Sequence, residues 1–336
     1  MAKILAIGDL HFKPSNLVEG RELVHKILQK VKEIPDIDAI VLLGDLLDNH
    51  ATIHSQAFNL VYDLLKNLLA YKVFVLVGNH DYINNSQFLT TQHPFNVFKG
   101  WGENIVIVDD YTTWIKDDQK FVFLPYVPTG RFQEALKTKE PLELSKIECI
   151  FAHQEFKGAI FGDKGDEWDY ETQVISGHIH TQTNLRQLNC EGMGAVFYVG
   201  SPVQHCFAET PDKSILLIDT LNKPNWTFHK LDMPQKHTIE IKLEDIDTLV
   251  LPERATIRLR IKCSCSSWAV FKKSKKYKEL IDAKVKVQPL AIDDEAQLKK
   301  MAKKRTTYIE SLKVYADKSG GYVQEAFLQI MGEMAA

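Results

Sequence analysis

Three times in the first 80 residues a short apolar run stops abruptly on a glycine and a polar side chain: "KILAIGD" (3 to 9), "DAIVLLGD" (38 to 45) and "KVFVLVGN" (72 to 79). Between the runs lie "EGRELVHKILQKVKE" (19 to 33) and "SQAFNLVYDLLKNLLA" (55 to 70), whose apolar residues recur at helical spacing. Strand, helix, strand, helix, strand predicts a parallel sheet, because a helical crossover returns the chain to the same edge. Farther along, "NIVIVDD", "FVFLPYV", "IECIFAH", "TQVISGHIH", "AVFYVGS" and "SILLID" follow one another with few helices between them. The expected class is α/β, a mixed β-sandwich flanked by helices.

A polar stretch, "MPQKHT" (233 to 238), marks the expected boundary. Beyond it "RATIRLRIK", a helical "SSWAVFKKSKKYKELIDA" and "KVKVQPLAI" read as a small βαβ unit followed by a helical tail. The expected segments are 1–233, 238–292 and 293–336. Charge divides along similar lines: from Glu253 onward there are 18 Lys and Arg against 10 Asp and Glu, while the residues before it carry 23 against 34. An acidic body suits phosphate binding only where bound cations reverse the local sign.

No apolar stretch approaches the roughly 18 to 20 residues of a membrane span, and "MAKILAIGDL" lacks the basic region and cleavage site of a secretory leader. An intracellular protein without membrane contact is expected. Five irregularly spaced cysteines argue for free thiols, and Cys263 with Cys265 is the only close pair, weak as a zinc signature.

The polar residues that end the strands form the candidate site. Asp9 and His11 follow the first, Asp45 the second, Asn79 and His80 the third, His153 ends "IFAH", and His178 and His180 sit in "SGHIH". In an open α/β sheet the carboxyl ends of the strands open onto one crevice. The i, i+2 spacing of Asp9/His11 and of His178/His180 places each pair on one side of an extended segment. Carboxylates crowded there without a cation would repel one another. A metal centre is the expectation.

The set "GDLH", "GDLLD", "GNHD", "AH" and "GHIH" resembles the calcineurin-like metallophosphoesterase family over residues 4 to 220. The resemblance implies a four-layer fold and two divalent ions, one on Asp9, His11 and His180, the other on Asn79, His153 and His178, with Asp45 bridging both. Mixed nitrogen and oxygen ligation suits manganese, with iron, zinc or magnesium compatible. It also implies phosphodiester hydrolysis by a metal-bridged hydroxide, His80 as general acid and Asp81 orienting the His80 ring.

The stretch "VFYVGSPVQHCFAET" followed by "KSILLID" resembles SbcD-type DNA repair nucleases, including phage and viral relatives, and the basic appendage resembles their small capping domain and partner-binding helices. That likeness implies a DNA nuclease subunit, exonuclease or endonuclease, of a recombination and repair complex with an SbcC-like coiled-coil ATPase. A homodimer is compatible, and the setting would be a bacterial cytoplasm or an infected host cell. The alternative is a stand-alone enzyme for a small nucleotide or a phosphoprotein. Candidate DNA contacts are His50, Lys272, Lys273 and Lys276, with His54 close by. Phe156, Phe161 and Trp168 in the loop "QEFKGAIFGDKGDEWDYE" (154 to 171) are expected to stack on unpaired bases. Asp48 stands where some nucleases of this group have a histidine. Tyr308, Ile309, Leu312, Tyr315, Phe327, Ile330 and Met331 recur at helical spacing around Gly320 and Gly321, as in helices that dock on a coiled coil.

Overall fold

The computed structural model describes residues 2–139, 143–159, 164–188, 195–221, 225–291, 310 and 312–316. The chain divides into two compact units, Met1–Lys236 and His237–Ala336.

In chain order, the first unit contains β1 (Lys3–Ile7), α1 (Leu17–Glu33), β2 (Ala39–Leu42), α2 (Ser55–Asn67), β3 (Val73–Leu76), β4 (Ile105–Val108), β5 (Thr112–Lys116), β6 (Gln119–Phe123), α3 (Phe132–Leu136), β7 (Ile147–Ala152), β8 (Val174–Ser176), β9 (Thr183–Asn184), β10 (Val196–Tyr198), β11 (Ile215–Asp219) and β12 (Asn225–His229). They build two six-stranded sheets, in the orders β12-β11-β1-β2-β3-β4 and β5-β6-β7-β8-β10-β9. β1, β2, β3 and β4 are parallel neighbours, as the alternation of strand and helix predicts, while β11 joins β1 antiparallel and makes the sheet mixed.

Strand residues sort by face. Leu5, Ile7, Ile40 and Leu42 pack with Leu23, Ile27, Leu60 and Leu64 of the two long helices. Ile4, Ala6, Val41 and Phe74 point the other way and meet Phe121, Phe123 and Phe151 of the second sheet, where Phe74 and Phe123 stack at 3.9 Å. This is why β2 and β3 are apolar throughout: a parallel strand covered on both faces has no solvent side. A third cluster, with Val122, Ile150 and Phe132 of α3, covers the far face of the second sheet. Helices, sheet, sheet and a further helical layer give the expected mixed sandwich.

Phe156 and Trp168 belong to that third cluster and are fully buried. Phe132 meets Phe156 edge-on at 5.0 Å, and Trp168 Nε1 donates to the Thr172 carbonyl at 3.0 Å. They fasten the loop to the body, contrary to the expectation that they stack on bases; Phe161 lies outside the described residues.

The second unit holds a three-stranded sheet, β13 (Gln235–Lys242), β14 (Ala255–Cys263) and β15 (Lys286–Ala291), with β14 central and parallel to β15. The single helix expected between the last two strands is two, α4 (Cys265–Phe271) and α5 (Lys275–Asp282). Ser274 makes the break: its hydroxyl accepts the Tyr277 N–H at 3.1 Å and caps the second helix, as Ser264 caps the first. Trp268, Phe271 and Tyr277 pack on Leu259 and Ile261 beneath. Apart from residues 310 and 312–316, the tail expected to dock a partner lies outside the described residues. Among the described residues no helix is long and apolar enough to cross a membrane. Cys149, Cys206, Cys263 and Cys265 are free thiols.

Candidate metal centre

The loops after β1, β2, β3, β7 and β8 deliver Asp9, His11, Asp45, Asn79, His80, His153, His178 and His180 to one place. The Asp45 carbonyl ties the first two loops together, accepting the N–H groups of Leu10 and His11 at 3.0 and 2.9 Å. His11, Asp45 and His178 have φ of 46°, 50° and 79°, a left-handed backbone that side-chain-bearing residues rarely adopt. The paired residues are therefore aimed by local kinks, and the extended segments that the i, i+2 spacing suggested are not present there. Glycine before the polar residue is a matter of space. A Cβ on Gly78 would lie 2.2 Å from the Asp45 amide nitrogen, and one on Gly44, itself at φ 97°, 2.6 Å from His153 Nδ1.

Two groups of donor atoms form around Asp45. On one side His11 Nε2 and His180 Nε2 face each other at 3.0 Å. On the other, the Asn79 side-chain oxygen lies 3.0 Å from both His153 Nε2 and His178 Nδ1. Asp45 Oδ2 stands between, 3.6 Å from His11 Nε2 and 3.4 Å from His153 Nε2. Asp9 is fully buried; its Oδ1 accepts the His178 N–H at 2.9 Å.

Each ring is turned by a group behind it. His153 Nδ1 donates to the Leu43 carbonyl at 2.7 Å, which leaves a lone pair on Nε2. His180 Nδ1 lies 3.2 Å from Glu209 Oε1, and His11 Nδ1 lies 3.3 Å from Asp48 Oδ1. Glu209 is in turn held by Lys213, whose ammonium is 2.6 Å from its other oxygen, 2.7 Å from the His180 carbonyl and 2.9 Å from Ser201 Oγ. His205 completes the surroundings of the first group, its ring centroid 4.8 Å from that of His11 and its Nε2 donating to the Asp9 carbonyl at 3.0 Å. Glu209, Lys213 and His205 were not singled out from the sequence, although all lie in or just after the stretch "GSPVQHCFAET"; the signal available was an acid and a lysine four residues apart.

His80 sits beside both groups. Its N–H donates to Asp45 Oδ1 at 2.9 Å and its Nδ1 to the Asp48 carbonyl at 2.7 Å. Asp81 does not orient it. Asp81 instead accepts the backbone N–H groups of Gly78 at 2.9 Å, Leu47 at 2.9 Å and Leu46 at 3.3 Å, pinning the β3 loop to the β2 loop. A carboxylate whose oxygens are filled by three amides has no reason to turn toward the ring. Asp48, noted in the sequence only as a departure, orients His80 through its carbonyl and sets its carboxylate 3.3 Å from His11 Nδ1, a charge contact without a hydrogen bond.

The residues fit a pair of cations. With Nδ1 of His11 and His180 facing carboxylates, their Nε2 atoms face one another at 3.0 Å, and His153 Nε2 faces the Asn79 amide oxygen at the same distance. Each pair is held by one proton in the absence of metal, and once that proton is lost both atoms offer lone pairs that a cation would satisfy. Asp9 Oδ2 is buried with no hydrogen-bond partner among the described residues, which costs about 1–3 kcal/mol or more unless a cation meets it. Burial by itself would discharge His153, yet the Asp45 and Asp9 carboxylates push it up to about 9. Burial would likewise raise Asp45, but His153, His11 and His80 hold it well below the carboxylate range. The pocket draws positive charge. His11, Asp45 and His80, and Asp45, His153 and His178, and His11, His180 and His205 each bring three donor atoms within 4.8 Å of one another.

Residues 2–182 match the family of calcineurin-like phosphoesterases. The chain belongs to that family. A protein of Invertebrate iridescent virus 6 named as an inferred phosphoesterase, 244L, is 39% identical over 288 residues, 81% of this chain and 98% of its own. A second inferred phosphoesterase, 078R of Invertebrate iridescent virus 3, is 38% identical over 291 residues, covering 83% and 81%. Among solved structures, the hypothetical protein PH1004 from Pyrococcus horikoshii OT3 overlaps 69% of this chain and 88% of its own at 11% identity and a TM-score of 0.36, too distant to bear on activity.

Calcineurin-like phosphoesterases bind two divalent metals, and this member has donors for both. Of the candidate DNA contacts, His50 lies at the centre: its ring stacks on that of His80 at 4.6 Å and 18°. His54 is the residue just before α2. Lys272 and Lys273 are exposed and Lys276 is half-buried, all in the second unit.

Proposed function

We propose that this phosphoesterase is a two-metal phosphodiesterase that cuts DNA, an exonuclease or endonuclease subunit of an SbcCD-like complex acting inside a bacterial or infected cell. The observation that carries the metal reading is the position of Asp45 Oδ2 between two groups of nitrogen and oxygen donor atoms. Asp9, His11 and His180 would hold one ion, Asn79, His153 and His178 the other, and Asp45 both; manganese suits this donor set, with iron, zinc or magnesium as substitutes. Two such ions supply charge stabilisation for an in-line displacement at phosphorus and acidify a water.

The chain's own residues do the rest. His80, fixed through Nδ1 by the Asp48 carbonyl, has only Nε2 left to offer a substrate, and a proton there goes to the leaving alkoxide as the P–O bond breaks. Burial lowers the pKa of this imidazole, with His11 and His50 adding to the effect against Asp45. That makes its charged form a readier donor.

The choice of DNA is supported by the SbcD-like stretch, since Glu209 and Lys213 within and after it reach the centre through His180, and by the basic residues after Glu253. A basic surface gives phosphate-backbone contact and hence salt-dependent binding. The same likeness supports an SbcC-like ATPase partner. Incubating the pure protein with manganese and end-labelled DNA, beside bis-nitrophenyl phosphate, tests the reading. Cleavage of both is expected; hydrolysis of the small diester with DNA left intact would overturn the nuclease reading in favour of a small-nucleotide or phosphoprotein enzyme.

A further inference from the structure

We propose that the cleft beside His80 seats the nucleobase of the departing nucleoside, an inference that rests on the centre acting on nucleic-acid diesters. The cleft, about 310 Å³, lies between the loop that carries Asp48 and His50 and the loop that carries His80. Leu47, Thr52 and Ile53 line it from the first, Tyr82 and Ile83 from the second.

Its chemistry is that of a small-ligand site, apolar walls with few polar groups. Leu47 is buried in the wall, whereas Ile53 and Ile83 are 57% and 44% exposed at the rim, an apolar pair left in water. Tyr82 is fully buried, and its hydroxyl has no hydrogen-bond partner among the described residues. A nucleobase offers the complement of such walls: flat apolar faces for the isoleucines and leucine, and polar edge atoms for Asn49 and Gln92, the exposed polar side chains of the lining.

Position selects the side of the scissile bond. His80 gives its proton to the leaving oxygen, His50 stacks on His80, and His50 Nδ1 donates to the Tyr82 carbonyl at 3.3 Å. The cleft therefore begins one ring beyond the proton donor, where the leaving group must go. A base held there aligns the departing oxygen with His80, so its contribution is felt by substrates that carry a base on that side.

Two measurements on the full chain test this. In the first, saturation-transfer NMR with thymidine alone should show binding that is lost in Ile83→Trp, which fills the cleft from its exposed rim; Thr52→Trp, also at an exposed position, fills it from the other loop should the first variant misfold. In the second, kcat/KM with manganese is compared between a thymidine dinucleotide and its two analogues lacking one base. One analogue should be cut about tenfold more slowly by the wild type. Ile83→Trp should bring the intact dinucleotide down to that rate and leave the slower analogue's rate where it was. Equal rates on the intact and both base-less dinucleotides would overturn the cleft assignment while leaving the nuclease reading in place. Thymidine binding that survives both tryptophan variants, or no binding at all, would overturn it too. Cleft-dependent thymidine binding without cleavage of any dinucleotide or DNA would sink the nuclease reading and, with it, the departing-nucleoside assignment.

Discussion

His80 donates its Nδ1 proton to the carbonyl of Asp48 at 2.7 Å, while the carboxylate of the same aspartate lies 3.3 Å from Nδ1 of His11. One residue thus aims the ring assigned to the leaving group and sets a negative charge beside a ring assigned to a metal, so proton donor and cation site meet at one short loop.

If His80 protonates the leaving group and holds no metal, His80→Gln retains its metals and loses about 100-fold or more in turnover on DNA. An ester that expels nitrophenolate needs no proton and should be far less affected. Equal losses on the two substrates would show that His80 positions the phosphate.

Glu209 reaches the centre through the His180 ring and through His205, whose N–H donates to its other oxygen at 3.1 Å. Glu209→Gln keeps the shape but weakens acceptance of the His180 N–H and its pairing with Lys213, and should lower affinity for one of the two metals by about 10- to 100-fold. Metal titration with a competing chelator reads this directly. An unchanged affinity would show that His180 is held without the carboxylate.

Asp81 is a test of architecture. Asp81→Asn places an NH₂ group against at least one of the N–H donors of Gly78, Leu46 and Leu47. Loss of about 1–3 kcal/mol is expected, from a desolvated donor left without an acceptor. Denaturant unfolding measures it, and a variant as stable as the wild type would contradict the clamp.

Charge reversal at Lys272, Lys273 and Lys276 together should weaken DNA binding and flatten its dependence on salt, because that slope scales with the number of phosphates the protein neutralises. Hydrolysis of bis-nitrophenyl phosphate should not change. An unaltered salt slope would make these lysines an ordinary solvated helix face.

What could be read from the chain was whatever lies next to a strand end. Asp9, Asp45, Asn79 and His153 announce themselves because an apolar run breaks at each of them, and the parallel sheet carries those breaks to one edge. Asp81 lies in the same motif as His80, yet its partners Leu46 and Leu47 are on another loop, 34 to 35 residues earlier, and no local pattern connects them. Glu209, Lys213 and His205 sit beyond β10 in a segment without periodicity, so only the packed chain shows them behind His180 and His11. The burial of Phe156 and Trp168 was equally hidden, since an aromatic in a long loop looks the same whether it faces solvent or the core. Ser274, between lysines that suggest one continuous helix, reads as a cap only once the chain is seen to turn there.

Asp45 carries the central claim, because its Oδ2 stands between both groups of donors. Elemental analysis of the purified protein, wild type beside Asp45→Ala, is the most direct measurement. Two divalent metals per chain in the wild type and neither retained in the variant is the predicted result; one metal or none in active wild-type protein, or a variant that keeps both, would contradict it.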